Sequence, residues 1–391
     1  MHLGLCLSRV SRHAKDQRDE VTVRLLHVIP TLDRAGAEKQ LMLLAAGLPR
    51  EDFEVHVCAL TRGGPYERVL RERDIPVQVI GKRFKADPVS YFRLRRYIRR
   101  LRPDVVHTWM FAANAYGRQA ALAAGVRALI ATERCVDPWK APWQWRIDRH
   151  LATHTHAIVG NSQAVCDSLS EHGLPEDKLL VIRNGVPPAV ASDITREELL
   201  AQLDLPRDTH LIGTIGRLWP QKRTKFLIWA AELIHLLRKD CCLLVIGDGP
   251  ERAAVDRYRF AKRGEPYTRI LGHRDDVWRI LPHLDVLWQG SSYEGMPNAV
   301  LEAMAAGVPV VATDIAAHRE IIIPGHTGVL LPIPDRAGFC RETDRLLRDR
   351  ELAKQLAARA REQVCSEWSV ERMVQQHREL YREVLAPRAP A

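Results

Sequence analysis

The chain has 391 residues, of which 46% are hydrophobic and 27% charged, with a formal net charge of +10. That is ordinary for about two soluble globular domains, and no run approaches the roughly 18 uncharged apolar residues of a membrane span. The charge is uneven: residues 1–190 hold 29 Lys and Arg against 20 Asp and Glu, the rest 29 against 28, so the first half is expected to meet something anionic.

In chain order, the opening MHLGLCLSRVSRHAKDQRDE has too short an apolar stretch for a signal peptide, and residues 1–20 read as a disordered N-terminal extension. The eight cysteines (6, 58, 135, 166, 241, 242, 340, 365) contain no C-x-x-C pair and no repeated spacing. Neither a disulfide framework nor a zinc site is indicated, and a reducing cytoplasm fits. From residue 21, short β-rich runs alternate with helical ones: VRLLHVI, AEKQLMLLAAGL, FEVHVCAL, PVQVI, a basic helix near 88–101, DVVHTW, NAYGRQAALAAG, ALIAT, HAIVGNS and KLLVI. After the polar stretch NGVPPAVASDITREE the alternation restarts with HLIGTIG, FLIWAAELIHLLR, CCLLVIGDG, RILG, DVLW, VPVVAT and GVLLPI. The fold class is therefore α/β: two Rossmann-like doubly wound parallel-sheet domains facing across a cleft, over 21–188 and 189–366. Residues 367–388 form a closing helix of period near 3.6. In such sheets ligands sit beyond the carboxyl ends of the strands, so chemistry is expected in loops that follow strands.

Several such loops carry reactive residues. In TLDRAGAEKQ, Gly36 lets backbone approach a diphosphate, although one glycine in a turn is common and no G-x-G-x-x-G follows any strand. YFRLRRYIRRLRP sets Arg96 and Arg100 with four further arginines beside Leu94, Ile98 and Leu101. A solvated face is the plain reading; contact with anionic lipid headgroups, helped by Trp139, Trp143 and Trp145, is the alternative, while nucleic acid lacks any accompanying reading module. DVVHTWM places His107 at a strand end, where it either bonds a hydroxyl in the cleft or is a satisfied core histidine. The triplet His150, His154 and His156 has ligand-like spacing but no completing carboxylate or cysteine, so no metal site is assigned.

The second half is more pointed. GTIGRLWPQK offers Arg217 and Lys222 to an anion, Arg through paired N–H bonds and Lys as a compact charge. In SSYEGMPNAVLEAM, the amides of Gly295, Met296, Pro297 and Asn298 lead into a helix start, an anion-favouring arrangement in which proline supplies no N–H. Asn298 reads as the N-cap of a helix over 299–306. Glu294 can accept bonds from sugar hydroxyls. Glu302, among apolar neighbours, should be largely buried and needs a donor, from the protein or from a ligand.

Together GRLWPQK, IGDGPE, YEGMPNAVLEAMAAGVPVVATD and HVIPTLDRAGAE resemble family 4 of the retaining glycosyltransferases, of GT-B fold, over nearly all of residues 24–385. The resemblance implies that Arg217 and Lys222 hold the diphosphate of a nucleotide-sugar donor. It also implies that Glu294 contacts the transferred sugar, Glu302 the ribose, that the Gly36 loop closes over the phosphates, and that the last helix crosses back to the first domain. The chain departs from the family at Ala35-Gly36, where relatives often have two glycines, and at Arg134, where many have a histidine. Arg134 is then expected on the acceptor side. The implied activity is transfer of a sugar to a lipid-linked or glycan acceptor in cell-surface polysaccharide or glycolipid assembly, at the inner face of the cytoplasmic membrane. A nucleotide-sugar epimerase and a non-catalytic sugar-nucleotide-binding subunit are the competing readings. The chain has no D-x-D, so no cofactor and no divalent metal is expected.

Overall fold

The computed structural model describes residues 22–386. The expected N-terminal extension lies outside them. Seven strands form the first sheet: β1 (Val23–Thr31), β2 (Phe53–Arg62), β3 (Val77–Val79), β4 (Val105–Trp109), β5 (Ala128–Glu133), β6 (Ala157–Gly160) and β7 (Leu179–Val181). Six form the second: β8 (His210–Ile215), β9 (Cys241–Ile246), β10 (Thr268–Gly272), β11 (Val286–Gln289), β12 (Val310–Thr313) and β13 (Val329–Leu331). Their orders are β3-β2-β1-β4-β5-β6-β7 and β10-β9-β8-β11-β12-β13, with every pairing parallel. Helices cover both faces, so the central strands read as continuous apolar runs: all of Val105–Trp109 and Cys241–Ile246 is buried.

The order reverses between β1 and β4 in one sheet and between β8 and β11 in the other. At such a reversal the flanking helices diverge to opposite faces, opening a crevice at the carboxyl ends of the strands. The sequence motifs at 32–38, 216–222 and 290–298 all follow strands that border these two crevices.

The last helix, Val370–Leu385, starts where Ser369 Oγ accepts from Arg372 N at 3.2 Å. It packs on the first domain, burying Met373, Val374, Leu380 and Tyr381 in one cluster with Leu41, Leu44 and Phe53. Full burial of a large apolar side chain stabilises by about 1.5–3 kcal/mol. That outweighs the ion pairs from Arg378 and Arg382 to Asp52, both 2.8 Å, since partly exposed pairs contribute about 1 kcal/mol or less. Gly47 permits the close approach, because a Cβ there would sit 2.7 Å from Val374 Cγ2.

Candidate active site

The second-domain wall is built around one carboxylate. After β8 the chain turns at Gly216 (φ 154°), where a Cβ would press on Lys222 Cε at 3.3 Å. The following short helical turn, Pro220–Lys222, aims the lysine at Glu294, and the two form a direct ion pair. Glu294 Oε1 also accepts from Ser291 Oγ at 2.7 Å and Gln289 Nε2 at 3.1 Å. Burial opposes its charge, but Lys222, through charge and hydrogen bond, and Ser291 more than offset that, so its carboxyl titrates below the usual range. Arg217 is exposed, its guanidinium 5.0 Å from the Trp219 ring centre. Its charge acts on Glu38 of the first domain, a buried carboxylate that accepts from Thr31 Oγ1 at 2.9 Å and is pushed up chiefly by burial.

Glu302 is half-buried rather than largely buried, and its donor is Lys39 Nζ at 2.7 Å, reaching over from the first domain's helix Gly36–Gly47. The helix expected at 299–306 runs Asn298–Ala305, and Asn298 does not cap it; the N-cap is Pro297, with no side-chain bond. The Asn298 amide is drawn across the domain gap instead. Its Oδ1 accepts from Asn184 Nδ2 at 2.6 Å and Gln40 Nε2 at 3.3 Å, and its Nδ2 donates to Gly36 O at 3.2 Å. Met296 is likewise engaged, its carbonyl accepting from Asn184 Nδ2 at 2.9 Å. Gly295 pairs with Cys135 in an antiparallel bridge, and a Cβ there would lie 2.2 Å from Arg134 O. Part of the loop expected to cradle an anion is thus used to join the domains.

Two further contacts close the cleft. Glu320 accepts from the amides of Gln163 and Ala164, at 2.9 and 2.7 Å, at the start of helix Gln163–Glu171, and pairs with Arg183 at 3.0 Å. Arg34 pairs with Asp275.

His107 is not at the cleft. It is fully buried, Nδ1 at 2.8 Å from Tyr381 Oη and Nε2 at 2.6 Å from Thr132 Oγ1, with its ring 4.9 Å from Trp109 and 5.2 Å from His27. Burial, then the neighbouring histidines, holds it well below its ordinary pKa, so it is neutral. The physical reason is position: β4 is a central strand covered on both faces, and its third residue faces the last helix rather than the strand's open end.

Arg134 donates to Asn184 Oδ1 and lies 5.5 Å from the Trp109 ring centre. Burial lowers its pKa to about 9, against the pull of Glu38, so it stays cationic at neutral pH.

Helix Pro88–Leu101 buries Leu94 and Ile98 on its inner face and exposes Phe92, Arg93, Arg96 and Arg100 on its outer one. Trp139 and Trp143 are exposed, but Trp145 is a core residue stacked on His172 at 3.9 Å.

With this geometry, the family described as "Glycosyltransferase Family 4" matches residues 34–190 and that described as "Glycosyl transferases group 1" matches residues 209–349, together most of the chain. The chain belongs to the family 4 glycosyltransferases. The transferase is 24% identical over 388 residues to the Escherichia coli UDP-Gal:alpha-D-GlcNAc-diphosphoundecaprenol alpha-1,3-galactosyltransferase, covering 94% of this chain and 98% of that enzyme. It is 34% identical over 228 residues to the Bacillus anthracis N-acetyl-alpha-D-glucosaminyl L-malate synthase, 58% of this chain and 60% of that one. Among solved structures, Anabaena HepE in complex with UDP and glucose superposes with a TM-score of 0.83 at 20% identity, covering 92% of this chain and 100% of that one. That likeness shows the GT-B fold.

Of the transferase's cleft residues, Glu38, Lys39, Gln40, Asn184 and Cys135 were not singled out in sequence. The run Glu38-Lys39-Gln40 carried a signal: three polar residues open a helix that is otherwise apolar, and each proves to have a specific partner.

Proposed function

We propose that the transferase moves a sugar from a UDP-sugar to a hydroxyl of a lipid-linked saccharide, with retention of configuration and without a divalent metal. The carrying observation is the Lys222–Glu294 ion pair, its carboxylate buried and both charges acting on Cys135 of the first domain, with Arg217 exposed on the same loop as Lys222. UDP and a lipid-diphosphate acceptor are chosen because the relative matched over nearly its whole length carries both in its name.

Departure of the diphosphate leaves oxocarbenium-like charge on the anomeric carbon and negative charge on the leaving group. Arg217 and Lys222 stabilise the second, and Glu294 accepts from the sugar's hydroxyls while its charge favours the first. Glu302 holds the ribose in exchange for Lys39, and Gly36 closes over the phosphates. The acceptor hydroxyl attacks from the face the diphosphate leaves, a phosphate oxygen takes its proton, and domain closure aligns the two and excludes water. Arg134, beside the Cys135 loop, serves the acceptor side.

The outer face of helix Pro88–Leu101 supports a membrane-peripheral placement. Phe84, Val89 and Phe92 are exposed beside Arg93, Arg96 and Arg100, the pairing of apolar and cationic groups that suits anionic lipid. Among the described residues no helix is long and apolar enough to cross a membrane.

The test is product formation from UDP-galactose, UDP-glucose and UDP-N-acetylglucosamine with GlcNAc-diphosphoundecaprenol, with the product anomer read by NMR and EDTA in a parallel reaction. An inverted product, or EDTA inhibition reversed by Mn²⁺, removes the corresponding part of the proposal. Flotation with anionic liposomes at low salt checks the membrane face, and no binding is the negative result.

A further inference from the structure

The first domain buries a charge cluster under the loop that touches Gly295. Lys140 Nζ reaches Glu133 Oε1 at 3.0 Å and Asp148 Oδ2 at 3.1 Å; Arg118 Nη2 donates to Asp148 Oδ1 at 2.8 Å, and Asn114 Nδ2 to Glu133 Oε1 at 3.0 Å. These side chains are paired with one another and shut away from solvent. Asp137 is the exception. Its Oδ1 accepts from Trp139 Nε1 at 3.1 Å, but Oδ2 lies 3.9 Å from Lys140 Nζ, beyond a hydrogen bond, and its side chain is 14% exposed against 1–5% for the rest. Three carboxylates stand against two cations, and the half-buried Asp137 is the one left without a full partner. Buried charge of that kind is costly unless something supplies a donor.

Its position says where the donor comes from. Asp137 follows by two residues the Cys135 that bridges to Gly295, and the charges of Asp137 and Glu294 act together on the Tyr293 hydroxyl and the Cys135 thiol. The carboxylate therefore stands on the first-domain wall opposite Glu294. We propose that Asp137 binds the acceptor, its free Oδ2 accepting a hydrogen bond from a hydroxyl of the acceptor sugar and so selecting which hydroxyl meets the donor. This rests on the transferase reading above and adds a residue to it. Burial, then the charge of Glu133 and less so Asp148, pushes the Asp137 carboxyl up to about 7, with Lys140 and Trp139 holding it back. The groups around it are thus Glu133, Lys140, Asp148, Tyr293 and Cys135. A raised carboxyl costs folded-state stability above its unfolded pKa.

The experiment is Asp137→Asn with two readouts. At pH 8 the variant melts above wild type, because it loses an ill-paired charge. With UDP-galactose and GlcNAc-diphosphoundecaprenol its KM for the acceptor rises tenfold or more, while UDP binding stays within twofold. A lower melting temperature at pH 8 makes Asp137 a structural partner of Lys140 and overturns the inference, and so does an unchanged acceptor KM. A wild type that turns over no UDP-sugar counts against the proposed function, while a variant that melts below wild type at pH 8 still overturns the inference on its own.

Discussion

The two sheets reverse strand order in the same way, yet they use the reversal differently. In the second domain the loops after β8 and β11 bring Arg217, Lys222 and Glu294 into the crevice, so charge is concentrated where a diphosphate would sit. In the first domain His27 and His107 inside their strands, and Trp109 and Thr132 at or next to a strand end, are all fully buried, and Tyr381 of the last helix bonds His107. The first domain's cleft groups come from the helix start at 36–40, the loop at 134–140 and the linker at 184. A residue near the end of a central strand is therefore a core residue by default, and reaches the crevice only once the chain has left the last strand pairing.

The largest break of this contrast is Lys222→Ala or Glu294→Ala. Either should lower transfer by about 10²-fold or more, the scale of a positioned electrostatic group, with the fold retained by circular dichroism. His107→Ala should do the opposite: it strands Tyr381 Oη and Thr132 Oγ1 without their partner and opens a cavity, lowering stability by about 2–4 kcal/mol in urea titration. Its kcat at a temperature where it is folded should stay within about threefold of wild type; a loss matching Glu294→Ala would return His107 to the active site.

The same cluster sets an acid limit. Burial depresses His27 to about 3 and His377 to about 4, both below the unfolded value of 6.5, so the unfolded chain takes up protons first as pH falls. Stability is intact above 6.5 and declines below it, by up to about 1.4 kcal/mol per pH unit per histidine, until the folded pKa values are reached. Urea midpoints between pH 7 and 4.5 check this, and His377→Gln should flatten the slope. Smaller still is Glu320→Ala, which removes a carboxylate from the start of helix Gln163–Glu171 and so loosens the closed pair of domains. About 1 kcal/mol, roughly a fivefold loss of UDP affinity, is expected with the fold's own stability little changed.

Much of the fold was legible because the alternation of apolar runs with amphipathic ones has no other economical reading. The last helix, expected over 367–388, runs Val370–Leu385, its start fixed by the Ser369 cap and its length by the apolar period. The second-domain site was legible because Arg217, Lys222 and Glu294 sit in loops whose place relative to the strands is fixed by the topology. Contacts between the domains were not. That Asn298 abandons a local cap for Asn184 and Gln40, or that Glu302 takes Lys39, depends on residues more than a hundred positions away. For His107 the sequence left a cleft group and a core histidine both open, and the structure makes it the core one, because a strand position does not say which face a helix from the far end of the chain will cover.

The central claim is that the Lys222–Glu294 wall receives the donor's diphosphate. Calorimetric titration of UDP into wild type and Lys222→Ala tests it directly. The account predicts a measurable wild-type affinity that weakens at least tenfold in the variant; equal affinity in both would mean that the diphosphate lies elsewhere.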